Sequence, residues 1–218
     1  MALTKITGEG LGSLGTGNLT HGSDSGDTRF TLNSANQYTL VLKNAGNIAG
    51  QIGGSGSDVL RFSNAAGATI MEMNAGQITK PLQPAFLVRP TSSQDNIAVG
   101  SHVTVVFGTE VADRNADFAS NTFTAPVTGL YQINATLYLE NVDSASNFYQ
   151  IRIVTSNRTY EAVFDPDFGQ DAAYFDICIS ALADMDASDT AIVTIKQASG
   201  TAQTDVKPDS AFSGFLAC

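Results

Sequence analysis

Strict alternation of apolar and polar side chains is the feature of this sequence that most constrains its fold. Between Tyr131 and Glu140, the apolar series Tyr, Ile, Ala, Leu, Leu alternates with Gln, Asn, Thr, Tyr, Glu. Successive side chains of a β-strand point to opposite faces, so this period of two predicts a strand with one buried and one wet face. The preceding Ala-Pro-Val-Thr-Gly pairs a proline of fixed φ with an unrestricted glycine, which predicts a sharp turn.

Short alternating runs of the same kind fill the rest of the chain, and no helical period extends beyond about two turns. The 218 residues include 20 glycines, and a hydrophobic content of 43% is enough for a packed core. We therefore expect an all-β protein of one large or two small domains, with few and short helices.

The charge balance limits the partners of the chain. It has 21 acidic and 11 basic residues, a net charge of -10, which would repel nucleic acid and anionic membranes. Because no run of 18 apolar residues and no signal-peptide core occurs, we expect no membrane insertion and synthesis in the cytosol. Two cysteines, Cys178 and Cys218, are too few for a disulfide framework.

Residues 1–28 are rich in Gly, Ser and Thr and too poor in apolar side chains to form a core alone. We expect this segment to order only against a partner. Its Gly10-Leu-Gly-Ser-Leu-Gly matches a dinucleotide-binding fingerprint, but the strand and helix that this motif needs on either side are missing. We interpret the match as coincidence.

Residues 29–80 repeat a unit in which an apolar-x-apolar pair precedes Asn-Ala-Gly or a close variant, as in LVLKNAGNI and MEMNAGQI. Each unit predicts a short strand followed by a tight turn, because Asn and Gly accept positive φ. One such unit is too small to bury its apolar face within one chain. Units of this kind are stable when they pack against copies of themselves, which predicts a repetitive β-shaft. The alternative is an ordinary β-meander packed on the next domain.

Residues 81–84 contain two prolines and predict a semi-rigid linker. Residues 85–218 hold most aromatic side chains and predict eight or more strands, the density of a two-sheet jelly roll. The predicted strands are AFLVRP, HVTVVFG, NTFTA, LYQINATLYL, FYQIRIV, YFDICISALA, TAIVTIK and SAFSGFLA.

The segment 85–218 resembles the globular head of complement component one subcomponent q and its tumour necrosis factor relatives. The motifs that carry the resemblance are AFLVRPTSS, NTFTAPVTGLYQI, LADMDASDTAIVTI and the closing SAFSGFLAC, in this order. The resemblance implies a ten-stranded jelly roll that forms a homotrimer and presents loops for ligand recognition. The residues expected in its fold and trimer core are Phe123, Pro126, Gly129, Tyr131, Phe212, Gly214 and Phe215.

The N-terminal half resembles fibres and spikes of tailed bacteriophages, in which a polar start docks on the particle and repeats build a shaft. The combined expectation is a virion protein, made in the host cytoplasm, that docks on tail or capsid proteins through residues 1–28. Its trimeric head would bind a host surface glycan or protein. The alternatives are a structural decoration of capsid or tail, a glycan-cleaving spike, and an exported bacterial adhesin.

Catalytic residues are not expected, and we predict that the protein is not an enzyme. His21 and His102 are the only histidines, and neither stands beside a nucleophile in a recognisable pattern. Cys178 lies within a predicted strand and is interpreted as a small buried side chain.

Polar loops are the expected ligand contacts, although no particular receptor-binding residues follow from the sequence. The candidate loops are VDSASN, TSNRTY and ASGTAQTD. Asp165, Asp167 and Asp171 are weak candidates for a Ca²⁺ site, because their spacing could supply oxygen ligands. A plain acidic surface loop is the alternative, and we expect no cofactor or metal.

Overall fold

The computed structural model describes residues 37–44, 47–55, 59–74 and 76–218, so the predicted docking segment 1–28 lies outside the described residues. The described chain is all β. Its strands are β1 Gln37–Asn44, β2 Asn47–Ser55, β3 Val59–Ser63, β4 Thr69–Asn74, β5 Gln77–Thr79, β6 Ala85–Arg89, β7 Val103–Thr104, β8 Thr109–Asp113, β9 Phe118–Ala119, β10 Thr122–Thr124, β11 Gly129–Val142, β12 Tyr149–Thr155, β13 Thr159–Phe164, β14 Ala172–Met185, β15 Thr190–Gln197, β16 Asp205–Val206 and β17 Ala211–Leu216. Within these ranges no helix is long and apolar enough to cross a membrane.

The first five strands form one antiparallel sheet in sequence order, which we call the meander. The turn between β3 and β4 has the predicted chemistry: Gly67 has a φ of 84° and donates its N–H to the Asn64 carbonyl at 3.0 Å. The Asn64 side chain also accepts the N–H of Ala68 at 2.9 Å. Gly67 therefore has the expected positive φ, whereas Asn64 closes the turn by accepting hydrogen bonds. The assignment of 29–80 as a shaft stays a prediction.

Residues 85–218, which we call the head, form two facing sheets. One has the order β13-β12-β15-β10-β9, with β7 also pairing β15; the other has the order β14-β11-β17-β6-β8, with β16 also pairing β11. We name them the first and the second head sheet. Ten strands are not confirmed, since the head is divided into β6 to β17, and three of these span two residues.

Aromatic side chains fill the space between the two sheets. The rings of Phe86 and Phe123 stack at 4.5 Å between centroids, and Phe86 meets Phe212 edge-on at 4.9 Å. Phe123, Tyr131 and Phe212 are fully buried, as expected. These large side chains contribute most to the apolar area that the head buries.

Phe215 corrects the expectation that this residue belongs to the aromatic core between the sheets. It is 47% exposed on β17, whereas Phe212 and Gly214 of the same strand are buried. The period of two places odd and even positions on opposite faces, so Phe215 points away from the core. Gly214 is needed because an added Cβ would lie 2.8 Å from the Phe86 ring.

The stiff turn before β11 closes the sandwich next to the chain terminus. The Tyr131 hydroxyl donates to the Val127 carbonyl at 2.7 Å and so ties the turn to the core strand. An added Cβ at Gly129 would lie 2.6 Å from the Cys218 carbonyl oxygen, which explains the glycine. Pro126 was expected in the core, but it lies exposed at the outside of this turn, so it does not belong to the core of the head.

The structure differs from the predicted strands of the head in length and in number, since β8, β9, β13 and β16 were not among them. HVTVVFG forms only the two-residue β7, although Val105 and Phe107 beyond it are buried. Strand β13 was not predicted, yet it pairs with β12 along its whole length. Val105 and Phe107 are buried without belonging to a hydrogen-bonded strand. The edge strand β13 forms with few buried side chains. Alternation of apolar residues alone therefore predicted neither result.

Hydrogen bonds tie the linker to the head. The N–H of Leu216 donates to the Pro84 carbonyl at 3.0 Å, and the Asn115 side chain donates to the Leu82 carbonyl at 3.2 Å. The Gln83 amide also donates to the Leu216 carbonyl. The meander therefore joins the head at the end where the C-terminal residues lie.

Candidate functional site

Three loops gather at the end of the head opposite the linker, and we call residues 143–148, 165–171 and 198–204 the distal loop cluster. The first loop follows β11, and β12 begins directly after it. The second precedes β14, and the third follows β15. Because β11 pairs antiparallel with β14, and β12 with β15, these strand ends meet at one end of the sandwich.

Asp143 holds two of these loops together. Its side chain is 3% exposed and accepts the N–H groups of Ala145 at 2.8 Å, Thr201 at 2.7 Å and Ala202 at 2.9 Å. A buried carboxylate is stable only when such donors replace its water shell. Asp143 therefore fixes loop 198–204 against loop 143–148.

Buried polar side chains also hydrogen bond to residues of loop 198–204. Gln197 is fully buried, donates to the Ser199 and Ala202 carbonyls at 3.1 and 2.6 Å, and accepts the N–H of Thr204 at 3.2 Å. The Tyr149 hydroxyl lies 2.7 Å from the Thr204 hydroxyl. Burial raises the pKa of the Tyr149 hydroxyl, so it stays protonated and remains a donor.

Asp171 joins the second loop to the first. Its carboxylate accepts the backbone N–H of Ser144 at 2.9 Å and the Ser144 hydroxyl at 2.7 Å. These two donors, the backbone N–H first, hold the Asp171 pKa below its ordinary value.

The predicted metal candidates do not form a ligand set. Asp165 accepts the N–H of Asp167 at 3.2 Å, and Asp171 is engaged by Ser144. No group of three or more His, Cys, Asp or Glu side chains in the described ranges is placed to hold a metal ion. The arrangement is that of a hydrogen-bonded acidic loop.

The distal loop cluster includes an exposed aromatic ring. Phe168 is 44% exposed, and its ring centroid lies 5.4 Å from that of Phe175. Phe175 in turn stacks on Phe164 at 4.2 Å, and Phe164 stacks on Tyr149 at 5.1 Å. This stack connects an exposed apolar contact point to the core of the head.

The loop TSNRTY lies at the other end of the head, which corrects its grouping with the ligand loops. Arg158 contacts Asp184 at 2.6 Å, and the Asn157 side chain donates to the Asp184 carbonyl at 3.0 Å. Asp184 pairs with Leu130, beside the C-terminal Cys218. Polarity identified three candidate loops, but the strand directions put only two of them together.

Three neighbouring rows of uncharged side chains lie on the outer side of the second head sheet, with Arg114 at their edge, and we call these rows the uncharged face. Cross-strand pairing aligns its side chains in three rows. The rows are Leu182, Gln132, Phe215 and Ala85; Ser180, Asn134, Ser213, Leu87 and Ala112; and Cys178, Thr136 and Ala211.

Polar atoms in the middle of the uncharged face satisfy one another. The Gln132 amide donates to the Ser180 hydroxyl at 2.8 Å, and that hydroxyl donates to the Asn134 side-chain oxygen at 2.8 Å. Large apolar side chains flank this network, since Leu182 is 53% and Phe215 is 47% exposed. The uncharged face thus exposes large apolar side chains in a chain whose net charge is -10.

Cys178 belongs to the uncharged face and corrects the prediction of a buried thiol. It is exposed, whereas its neighbours Ile177 and Ile179 are buried. The strand alternates from Ile177 to Met185, so the apolar neighbours define the core side and Cys178 takes the outer side.

His102 shows no arrangement typical of a catalytic base. The pKa of His102 is lowered mainly by partial burial and, to a smaller extent, by the positive charges of Arg152 and Lys196.

Sequence reasoning missed the roles of Asp143 and Gln197, and one signal was available. Asp143 directly follows the alternating strand β11, and Gly200 lies in the loop that follows β15. An acidic side chain at such a position often caps a loop. The partner loop was not visible in the sequence, because it is 58 residues away along the chain.

The two-sheet head with loops at one end and an uncharged outer face defines a jelly-roll binding or structural module. Residues 85–217 match the family model described as the C1q domain. Because the match spans more than half of the chain, this chain belongs to the C1q domain family. C1q domains are generally binding or structural domains and commonly form homotrimers.

Similar solved structures include the globular domain of zebrafish complement 1qA protein, at 20% identity with a TM-score of 0.47. Murine APRIL at pH 8.0 is 13% identical with a TM-score of 0.46. Each comparison covers 62% of this chain and 98% of the solved chain. No match was found among curated proteins.

Proposed function

We propose that this chain is the subunit of a homotrimeric adhesive fibre whose head binds a surface ligand through the distal loop cluster. The observation that carries the proposal is the separation of the two ends of the head. The linker and the C-terminal residues occupy one end, and the hydrogen-bonded loops occupy the other. An attached base and a free recognition end are what an adhesive subunit requires.

The uncharged face supports assembly of three heads. Each chain has a net charge of -10, so three copies approach closely only where charges are absent. The uncharged face offers such an area, with Leu182 and Phe215 exposed in a single chain. Burial of these side chains against neighbouring heads would supply the apolar contact that an obligate assembly uses.

The distal loop cluster supports ligand binding. It presents hydroxyl and amide groups on loops that Asp143 and Gln197 hold in one conformation, so little loop entropy is lost on binding. The exposed ring of Phe168 adds an apolar contact beside these polar groups. Polar groups together with an aromatic ring suit a glycan or a protein surface on a host cell.

The biological setting that we propose is the virion of a tailed bacteriophage. The polar, glycine-rich residues 1–28 would dock on tail or capsid proteins, and residues 29–80 would space the head from the particle. This setting is supported by the order of the sequence segments.

Light scattering and cell binding test this proposal. Light scattering of the purified chain should give about three times 22.8 kDa, and a monomer would refute the assembly. Binding of the purified protein to host cells should be lost in a Phe168→Ser variant that remains trimeric. Unchanged binding by that variant, or no binding by the parent protein, would refute the proposed recognition surface.

A further inference from the structure

The meander has two chemically different faces. Paired side chains on one face are apolar in every strand, and we call this set the apolar meander face. Its members are Leu40, Leu42, Ile52, Leu60, Phe62, Met71, Met73 and Ile78. The opposite face includes the ion pair of Arg61 with Glu72 at 2.7 Å.

A single chain leaves the apolar meander face open. Leu42 is 48% and Ile78 is 61% exposed, and the core cluster of buried residues lies wholly within the head. Soluble proteins rarely expose apolar side chains in a continuous row. The described residues of one chain leave this row uncovered, so the same face of another copy can pack against it.

The apolar meander face continues into the uncharged face of the head. Ile78 and Phe215 line the same groove, together with the linker residue Pro84, and Lys80 and Arg114 line its edge. The linker is hydrogen bonded to the head, so a symmetry that brings the uncharged faces of several heads together also brings their meanders together. The natural cover of the apolar meander face is then the same face of other copies.

We infer that the apolar meander faces of three copies pack against one another around the axis shared by their heads. This inference rests on the proposed homotrimer. It makes the meander a three-sheet prism with Phe62 and Met73 inside and the Arg61–Glu72 pair outside. The meander is consequently stable only in the assembled protein.

Two substitutions with matched exposure test the inference. Met73 is 37% exposed on the apolar meander face, and Val41 is 39% exposed on the opposite face. A single chain tolerates a charge equally at either position. In the prism, Met73→Glu places three carboxylates in an apolar interior, whereas Val41→Glu adds three charges to the surface.

The measurement is trypsin cleavage after Arg61 in the full chain, with light scattering of the same samples. We expect cleavage to be about tenfold faster or more in Met73→Glu than in the parent, because local opening exposes the site. The Val41→Glu variant should resemble the parent, and all three proteins should remain trimeric through their heads.

Equal cleavage of both variants in a trimeric protein would overturn the inference and leave the proposed function intact. Rapid cleavage of the trimeric parent would also overturn it. A monomeric parent would instead refute the homotrimer, and the prism with it.

Discussion

Gly200 faces Asp143 so closely that an added Cβ would overlap the Asp143 Oδ2 atom. Gly200 also has a φ of 99°, a conformation that L side chains rarely adopt. The glycine thus serves two purposes, since it permits the backbone conformation and leaves space for the buried carboxylate. This close approach lets loop 198–204 pack against the Asp143 carboxylate.

We expect Gly200→Ala to destabilise the distal loop cluster and weaken ligand binding. The positive φ costs about 1–3 kcal/mol, and the displaced Asp143 loses its donors Thr201 and Ala202. Gly169→Ala is the matched control, because Gly169 has a φ of 76° but no atom within 4 Å of an added Cβ. Thermal unfolding should show a larger loss of stability at Gly200, and equal losses would contradict the role of Asp143.

Leu182→Lys should dissociate the trimer. Burying three unpaired ammonium groups between the uncharged faces costs several kcal/mol of desolvation free energy each. The substitution also removes the apolar contact of Leu182, which destabilises the trimer further. Val163→Lys is the control, since Val163 is 56% exposed on the first head sheet and Leu182 is 53% exposed on the second. Light scattering as a function of concentration measures the effect, and a trimeric Leu182→Lys protein would place the interface elsewhere.

The two thiols should differ in their reaction with a maleimide. Both are exposed in a single chain, but Cys178 belongs to the uncharged face and Cys218 lies at the linker end. We expect Cys218 to react in the trimer and Cys178 to react only after dissociation by denaturant. Mass spectrometry of the labelled peptides gives the two rates, and similar rates in the trimer would contradict coverage of this face.

Ser144→Ala should raise the pKa of Asp171 toward its ordinary value of 3.8. The variant keeps the backbone N–H donor and loses the hydroxyl donor, so the rise is partial. A carboxyl whose pKa is lowered by folding stabilises the fold above its unfolded-state pKa, and this stabilisation is lost as pH falls through its folded-state pKa. The variant should therefore lose less stability on acidification than the parent does.

Carboxyl NMR titration checks this prediction directly. Asp184 serves as the internal control, because Arg158 lowers its pKa at the other end of the head. The Asp184 titration should be the same in both proteins. An unchanged Asp171 titration would show that the hydroxyl contact does not persist in solution.

Local patterns in the sequence were reliable wherever a strand has one buried face. The alternation after Gly129 marks Tyr131, Ile133 and Leu137 as core residues, and all three are fully buried. The same rule applied to Phe215 and Cys178 would have placed both outside, but each was judged by its residue type. Hydrophobic type predicts burial on average, whereas the strand period decides it at each position.

Sequence order was sufficient to predict the all-β structure of the described residues, their turn glycines and the segment that belongs to the C1q domain family, because these depend on neighbours along the chain. The tertiary structure alone decided which loops meet. Asp143 and Thr201 are far apart in sequence, and antiparallel pairing of β11 with β14 and of β12 with β15 brings their loops together. The same pairing carries Arg158 to the opposite end, since each strand reverses the direction of the chain across the sheet.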